Sequence, residues 1–316
     1  MRTGPIAMKA FVVLNPAAGQ KDRESVREAL ASHFGASRIQ YEVHETRKED
    51  KPGEIVRARL QDGFDLAVAA GGDGTVSDVI EGLAGTSIPL GIVPTGTGNL
   101  VARDLGIPNE IDDAVGLIAG APRSRKIDAM KIGKRLFVLN VSVGYSASVI
   151  LGTTQVNKHR FGRIAYLGTM IAKIFTSRPR RIDVTADGIE HEYRAFEVAI
   201  MNCGMLAKMV YPKGPEIRID DGQLDVFVLG LKTIRDYPRY VFGLLRGRST
   251  DFVSRYIKAE RLVAIRSDVP LPVQADGDII GTTPIEVELL PGAVTVLVPE
   301  EPMIVPARDP GRETDA

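Results

Sequence analysis

Three glycine-bearing stretches have the residue types of a phosphate site: Asn15-Pro16-Ala17-Ala18-Gly19, Gly71-Gly72-Asp73-Gly74-Thr75-Val76-Ser77 and Pro94-Thr95-Gly96-Thr97-Gly98-Asn99. Glycine lets a backbone approach an anion closely, and a helix N-terminus supplies free amides and a favourable dipole. Asp73 needs a separate reason, because a carboxylate beside a phosphate is repulsive unless a metal or ordered water mediates. A phosphate loop with its own acid therefore suggests a magnesium nucleotide. The competing reading is a tight turn in which Asp73 caps the following helix. Asp221-Gly222 and Asp276-Gly277-Asp278 add further carboxylates, and on spacing alone both read as turn residues.

Each loop follows an apolar run: 10–14, 66–70 and 88–93. Such runs read as strands buried on both faces. After Gly74, Val76, Val79, Ile80 and Leu83 share a helical face, with Gly85 as the stop. A helical pattern begins near Arg23, and residues 39–44 form a shorter strand ending at Glu45-Thr46. Pro52 suits the first turn of the helix through Glu54, Val56 and Leu60. Residues 100–105 and 111–119 are also helical in pattern, the latter broken by Gly120-Ala121-Pro122. Strands and helices alternating at this spacing imply a parallel sheet with right-handed crossovers. The Asn15, Asp73 and Thr97 loops should then meet on one sheet edge, where open sheets bind ligands.

Beyond Arg125 the chain reads as mostly strand. Residues 135–145 form one long strand pattern. Asp187-Gly188 predicts a hairpin between the Ile182 strand and 192–202, and Asp276-Gly277 another. Asp221-Gly222 precedes a strand at 224–229, and 161–175 and 233–245 are helical interruptions. The expectation is a β-rich second domain, a sandwich or open barrel, and a disordered polar tail at 308–316.

Composition limits the classes of function. Forty basic and forty acidic side chains cancel, so nothing global points to nucleic acid. A single cysteine, Cys203, provides no intramolecular disulfide, and the four histidines lack metal-ligand spacing. No apolar run nears the ~20 residues of a membrane span. With no signal-like start, the expectation is a soluble cytoplasmic protein.

The three loops, in this order, resemble the diacylglycerol kinase catalytic domain. The likeness is greatest to bacterial soluble lipid kinases of the diacylglycerol and sphingosine kinase superfamily. It continues through Phe137-Val138-Leu139-Asn140-Val141-Ser142-Val143-Gly144, Asp220-Asp221-Gly222-Gln223-Leu224-Asp225-Val226 and Asp276-Gly277-Asp278. The Gly-Gly-Asp-Gly-Thr motif alone is shared with NAD kinases; the Pro-x-Gly-Thr-Gly-Asn and the late Asp-Gly-Asp make the likeness specific.

The resemblance implies an α/β nucleotide-binding domain at 8–124, a β-rich lipid-substrate domain at 125–298, and a return of 299–307 to the first. It implies an ATP-dependent lipid kinase acting on diacylglycerol or a related lipid. The membrane association would be transient and peripheral, and a homodimer is compatible with it. Asn15, Thr46, Gly71, Gly72, Asp73, Gly74, Thr75, Ser77, Gly96, Thr97, Gly98 and Asn99 would hold ATP. Asp276 is the expected catalytic base, with Asp73 as the second catalytic candidate. A structural Mg²⁺ would sit on Asp221 and the carbonyls of Arg218 and Gln223. One departure stands out: Leu100 occupies the place of a usual Asp after Gly-Thr-Gly-Asn. The rival readings are an NAD kinase-like phosphotransferase on a soluble acceptor and a catalytically weak nucleotide- or lipid-binding relative.

Overall fold

A computed structural model describes residues 8–16, 20–120, 122–155, 178–211, 214–230 and 253–300. The first half builds β1 (Lys9–Leu14), α1 (Gln20–Ala36), β2 (Gln40–Glu45), α2 (Pro52–Arg59), β3 (Leu66–Gly71), α3 (Asp73–Leu83), β4 (Leu90–Pro94), α4 (Leu100–Asp104) and α5 (Ile111–Ala119). Order β2-β1-β3-β4 is parallel throughout. Every residue of β3 and β4 is buried, as uncharged runs covered on both faces must be. Val76, Val79, Ile80 and Leu83 of α3 all face the core. The helix ends at Leu83, and Gly85 takes φ +80 just beyond, a left-handed turn that glycine makes without strain.

The second half is antiparallel: β5 (Arg123–Ile132), β6 (Arg135–Phe137), β7 (Asn140–Gly144), α6 (Tyr145–Gln155), β8 (Arg180–Ala186), β9 (Ile189–Ala195), β10 (Glu197–Met201), α7 (Gly204–Val210), β11 (Leu224–Leu229), β12 (Val253–Ala259), β13 (Leu262–Ser267), β14 (Pro272–Ala275), β15 (Asp278–Thr282) and β16 (Ile285–Val298). A six-stranded sheet, β12-β11-β10-β7-β14-β15, packs on a sheet containing β16, β13, β8 and β9. Val141, Val143, Val198, Ile200, Val226 and Val228 of one meet Ile182, Val184, Val263, Ile265 and Val287 of the other. The result is an α/β domain with a parallel sheet followed by a β-sandwich-like domain.

Two expected strands divide. The run 135–145 breaks into β6 and β7, which lie in different sheets. Residues 138 and 139 cross between them, and their amides turn to a side chain instead of a strand. The run 192–202 likewise breaks at Phe196, so that β9 ends one sheet and β10 enters the other. Apolar patterning continues through both crossings, and periodicity therefore hides them. The hairpins at Asp187-Gly188 and Asp276-Gly277 form, each with both turn residues at positive φ. β16 runs antiparallel to β5 and meets β4 in parallel at Val296 and Leu90, so it joins the two halves. The helical patterns at 161–175 and 233–245, the tail at 308–316 and most of 299–307 lie outside the described residues.

Candidate active site

The three loops converge as strand adjacency requires. Asn15 N–H donates to the Ala70 carbonyl (2.9 Å), Thr46 N–H to Leu14 (2.9 Å), and Thr95 N–H to Gly71 (3.1 Å). Asn15, Thr46, the Gly71 turn and the Thr95–Asn99 loop thus share the C-terminal edge of β1, β2, β3 and β4. Asn15 Nδ2 donates to Thr75 Oγ1 at 3.0 Å and ties the first loop to the second. Gly72 and Gly96 touch backbone to backbone, and a Cβ on Gly96 would lie 2.5 Å from Gly72 Cα. Asn99, at φ +48, closes its own loop by accepting from Gly96 N–H (3.0 Å) and donating to the Gly96 carbonyl (2.8 Å).

Asp73 does not cap α3. Gly72 is the N-cap, and the Asp73 carboxylate reaches sideways to accept the Val101 N–H at 3.2 Å. Its other oxygen faces Gly98, where a Cβ would come within 2.9 Å. The acid therefore braces one glycine loop against the next. The residues fit a nucleotide's phosphates. The N-terminus of an 11-residue helix follows the second loop, and Thr95 Oγ1, on the third loop, is buried without a hydrogen-bond partner. A hydroxyl in that state lacks an acceptor, which a phosphate oxygen would supply.

Asp276 sits in the β14–β15 turn inside a cage of donors. Oδ1 accepts the amides of Leu139 (2.9 Å) and Asn140 (3.0 Å); Oδ2 accepts Val138 N–H (2.9 Å) and the Ser77 hydroxyl (2.8 Å). Burial raises its pKa, and these hydrogen bonds oppose the rise. The amides come from the β6–β7 crossing. Asn202 fixes that crossing by donating through Nδ2 to the carbonyls of Val138 (2.9 Å) and Asp128 (3.2 Å). Ser77, expected on the nucleotide, commits its hydroxyl to Asp276 from one turn into α3. Asp276 is thereby placed against the helix that carries the glycine loop.

The third cluster surrounds Asp220-Asp221-Gly222. Arg125 and Arg218 both pair with Asp220 and hold its carboxyl below the usual range, against a burial effect that raises it. Asp221 accepts the Gln223 N–H at 3.1 Å. Asp128 is buried and accepts Gly222 and Gly292 amides, both at 2.7 Å. Burial raises Asp128 and Asp225, and the Asp221 charge adds to both. Asp225 Oδ2 is buried without a partner. An unpartnered carboxylate oxygen is the type of donor a hard cation takes. Among the described residues no group of three or more His, Cys, Asp or Glu side chains forms a metal cage.

Several polar residues escaped the sequence reading. Asp104 accepts the Met205 and Gly204 amides at the start of α7 (2.7 and 3.4 Å), and burial raises its pKa. Asp78, beside Ser77, is pushed up to about 6 by burial, with Glu81 adding to the rise and Arg135 opposing it. Glu197 is buried on β10 and pushed up to about 7. The available signal was a single charge inside an apolar run, as in Phe196-Glu197-Val198-Ala199-Ile200 and Leu224-Asp225-Val226.

With this geometry established, comparison with known proteins defines the class. Residues 9–132 match the diacylglycerol kinase catalytic domain, and 139–298 match the YegS C-terminal NAD kinase beta sandwich-like domain. The chain belongs to the diacylglycerol kinase/YegS-like lipid kinase family. Its relatives include a protein named diacylglycerol kinase from Bacillus subtilis, 27% identical over 93% of this chain and 97% of the other. A protein named probable lipid kinase YegS-like, from Pseudomonas aeruginosa (strain UCBPP-PA14), is 30% identical over 93% and 95%. A crystal structure of a diacylglycerol kinase from Bacillus anthracis superposes with TM-score 0.72 at 25% identity, covering 92% of this chain and 97% of that one. No helix among the described residues is long and apolar enough to cross a membrane.

Proposed function

We propose that this chain is an ATP-dependent lipid kinase that transfers the γ-phosphoryl group to a hydroxyl of diacylglycerol or a related lipid at a membrane surface. The observation that carries the reading is the Ser77–Asp276 contact. A hydroxyl donates to Asp276 Oδ2 at 2.8 Å, the geometry a base needs toward an acceptor alcohol, beside the helix that begins at the phosphate loop.

Residues 8–124 take the donor role and 125–298 the acceptor role. Asn15, Thr46, Gly71, Gly72, Gly74, Thr75, Gly96, Thr97, Gly98 and Asn99 line the nucleotide edge, and Asp73 keeps two of the loops in register. Mg²⁺ bound near Asp73 would neutralise phosphate charge, and a second at Asp221 and the Arg218 and Gln223 carbonyls would relieve the acidic cluster around it. Asp276 orients the acceptor hydroxyl and takes its proton. Its four acceptor sites are filled in the present arrangement, so the substrate hydroxyl replaces Ser77 at Oδ2. The three amides remain and hold the carboxylate still. Most of the rate then comes from alignment and charge placement.

The test is a panel of acceptors with γ-labelled ATP and magnesium: diacylglycerol in mixed micelles, other lipid alcohols, and NAD. Label appearing in a lipid and not in NAD is the expected result. Label in NAD alone would identify a phosphotransferase on a soluble acceptor. ATP binding without transfer to any acceptor would identify a binding relative.

A further inference from the structure

The crossing between β6 and β7 carries the amides that hold Asp276, and its carbonyls are engaged as well. Val138 and Leu139 belong to neither strand and are 0% and 5% exposed, so their backbone groups need partners within the protein. On one side the Val138, Leu139 and Asn140 amides all donate to the Asp276 carboxylate. On the other side the carbonyls take donors from the residues just after β10. The Val138 carbonyl accepts Asn202 Nδ2 at 2.9 Å, and the Leu139 carbonyl accepts the Asn202 and Cys203 amides at 3.1 and 3.2 Å. The Asn140 carbonyl accepts the Asp276 N–H at 3.0 Å. Asp276 therefore grips the crossing by its N–H groups, and Asn202 grips it from the carbonyl side.

Asparagine suits this place because of its donors. Met201, the last residue of β10, pairs with Asn140 on β7, so residue 202 emerges level with the crossing. A carboxamide NH2 has two protons and can serve two carbonyls at once. The second here is the Asp128 carbonyl of β5, at 3.2 Å. Asp128 is itself braced: its N–H donates to the Ile219 carbonyl (2.7 Å), and its carboxylate accepts the Gly222 and Gly292 amides. The two carbonyls decide which way the Asn202 amide faces. They leave Oδ1 buried without a partner, on a residue that is 0% exposed. An orphaned buried acceptor costs stability, so the gain at this position lies in where the two donated hydrogen bonds hold the backbone.

We propose that Asn202 is a positioning residue for Asp276: it anchors the 138–140 backbone to β5, and that backbone aims the carboxylate at the acceptor hydroxyl. Once a substrate hydroxyl replaces Ser77, the three amides are the contacts that fix the direction of Oδ2. A positioned base gains mostly from alignment. A small drift of the crossing therefore reaches the chemical step without disturbing the nucleotide loops.

The inference rests on Asp276 acting on the acceptor, and two readouts keep the two ideas separate. The variant is Asn202→Leu, which keeps the forked shape and removes both donors. Asn202→Ala, which adds no apolar branch beside the carbonyls, replaces it if the leucine variant does not fold. With γ-labelled ATP and micellar diacylglycerol, the variant should lower kcat roughly tenfold, the scale of one lost hydrogen bond, and leave the ATP KM unchanged. In an Asp276→Asn background the same substitution should lower kcat no further, because the group it positions is already gone. Equal losses in both backgrounds, or a raised ATP KM with parental kcat, would reduce Asn202 to a structural residue and overturn the proposal. The second readout is backbone hydrogen exchange of the ligand-free protein. Protection at 138–140 should fall roughly tenfold in the variant, while β1 and β3 keep parental protection. Parental protection at 138–140 overturns the proposal. If the parent labels no lipid, the kinase reading fails, and exchange alone decides whether Asn202 holds the Asp276 cage.

Discussion

Asp276 shows what a single side chain does here that a turn signal cannot. A hairpin aspartate at positive φ needs no buried partners, yet this one gathers three backbone amides and a serine from the other half of the chain. Asp276→Asn keeps the turn but sets a carboxamide NH2 against N–H or O–H donors. It should therefore cost about 1–3 kcal/mol of stability as well as activity, measurable as a lower Tm. An unchanged Tm would mean the cage is weaker than its geometry. Asp78 offers a pH test at the same boundary. Its folded pKa, about 6, lies above the unfolded value of 3.8, so the folded state holds the extra proton between them. Its contribution favours folding at low pH and is lost as pH rises from about 4 through 6. Asp78→Asn should remove that slope, so its Tm gains on the parent as pH rises from 4 to 7. A constant difference across this range would show that Asp78 titrates normally.

At the level of elements, the shared edge of the three loops was readable because each loop follows an uncharged run. Runs such as Leu66-Ala67-Val68-Ala69-Ala70 admit only a fully covered strand once glycines bound them, and parallel adjacency then places the loops together. The second domain was less legible. Nothing in Arg135–Phe137 or Asn140–Gly144 reveals that the chain changes sheets between them, and the amides freed by that change make the Asp276 cage. The Ser77–Asp276 contact spans 199 positions, and the spacing of neither motif encodes it. Glycine identity has a direct test. Gly96→Ala places a methyl 2.5 Å from Gly72 Cα, backbone against backbone, where neither side yields easily. Overpacking of this kind costs ~1–3 kcal/mol, and ATP·Mg²⁺ should no longer raise Tm. A variant stabilised by nucleotide as the parent is would show that the two loops need not touch.

At the scale of the whole molecule, β16 makes the two halves mechanically continuous. It pairs with β5 from Arg123 to Lys131, with β13, and with β4 at its far end. A strand shared in this way couples the unfolding of both halves, so calorimetry should show one transition, shifted as a unit by ATP·Mg²⁺. Two separate transitions, with only one responding to nucleotide, would mean that β16 is a loose strap. The continuity also sets the glycine loops of one half beside Asp276 of the other, close enough for Ser77 to donate to it.

The most direct test of that arrangement is transfer of label from γ-labelled ATP to micellar diacylglycerol, by parent and Asp276→Asn, well below either Tm, with ATP affinity measured in the same samples. The parent should label the lipid. The variant should bind ATP with parental affinity and turn over roughly 10²–10⁴-fold more slowly, the usual cost of losing one positioned acid–base group. A variant that binds ATP and labels lipid at the parental rate would contradict the assignment of Asp276 to the chemical step.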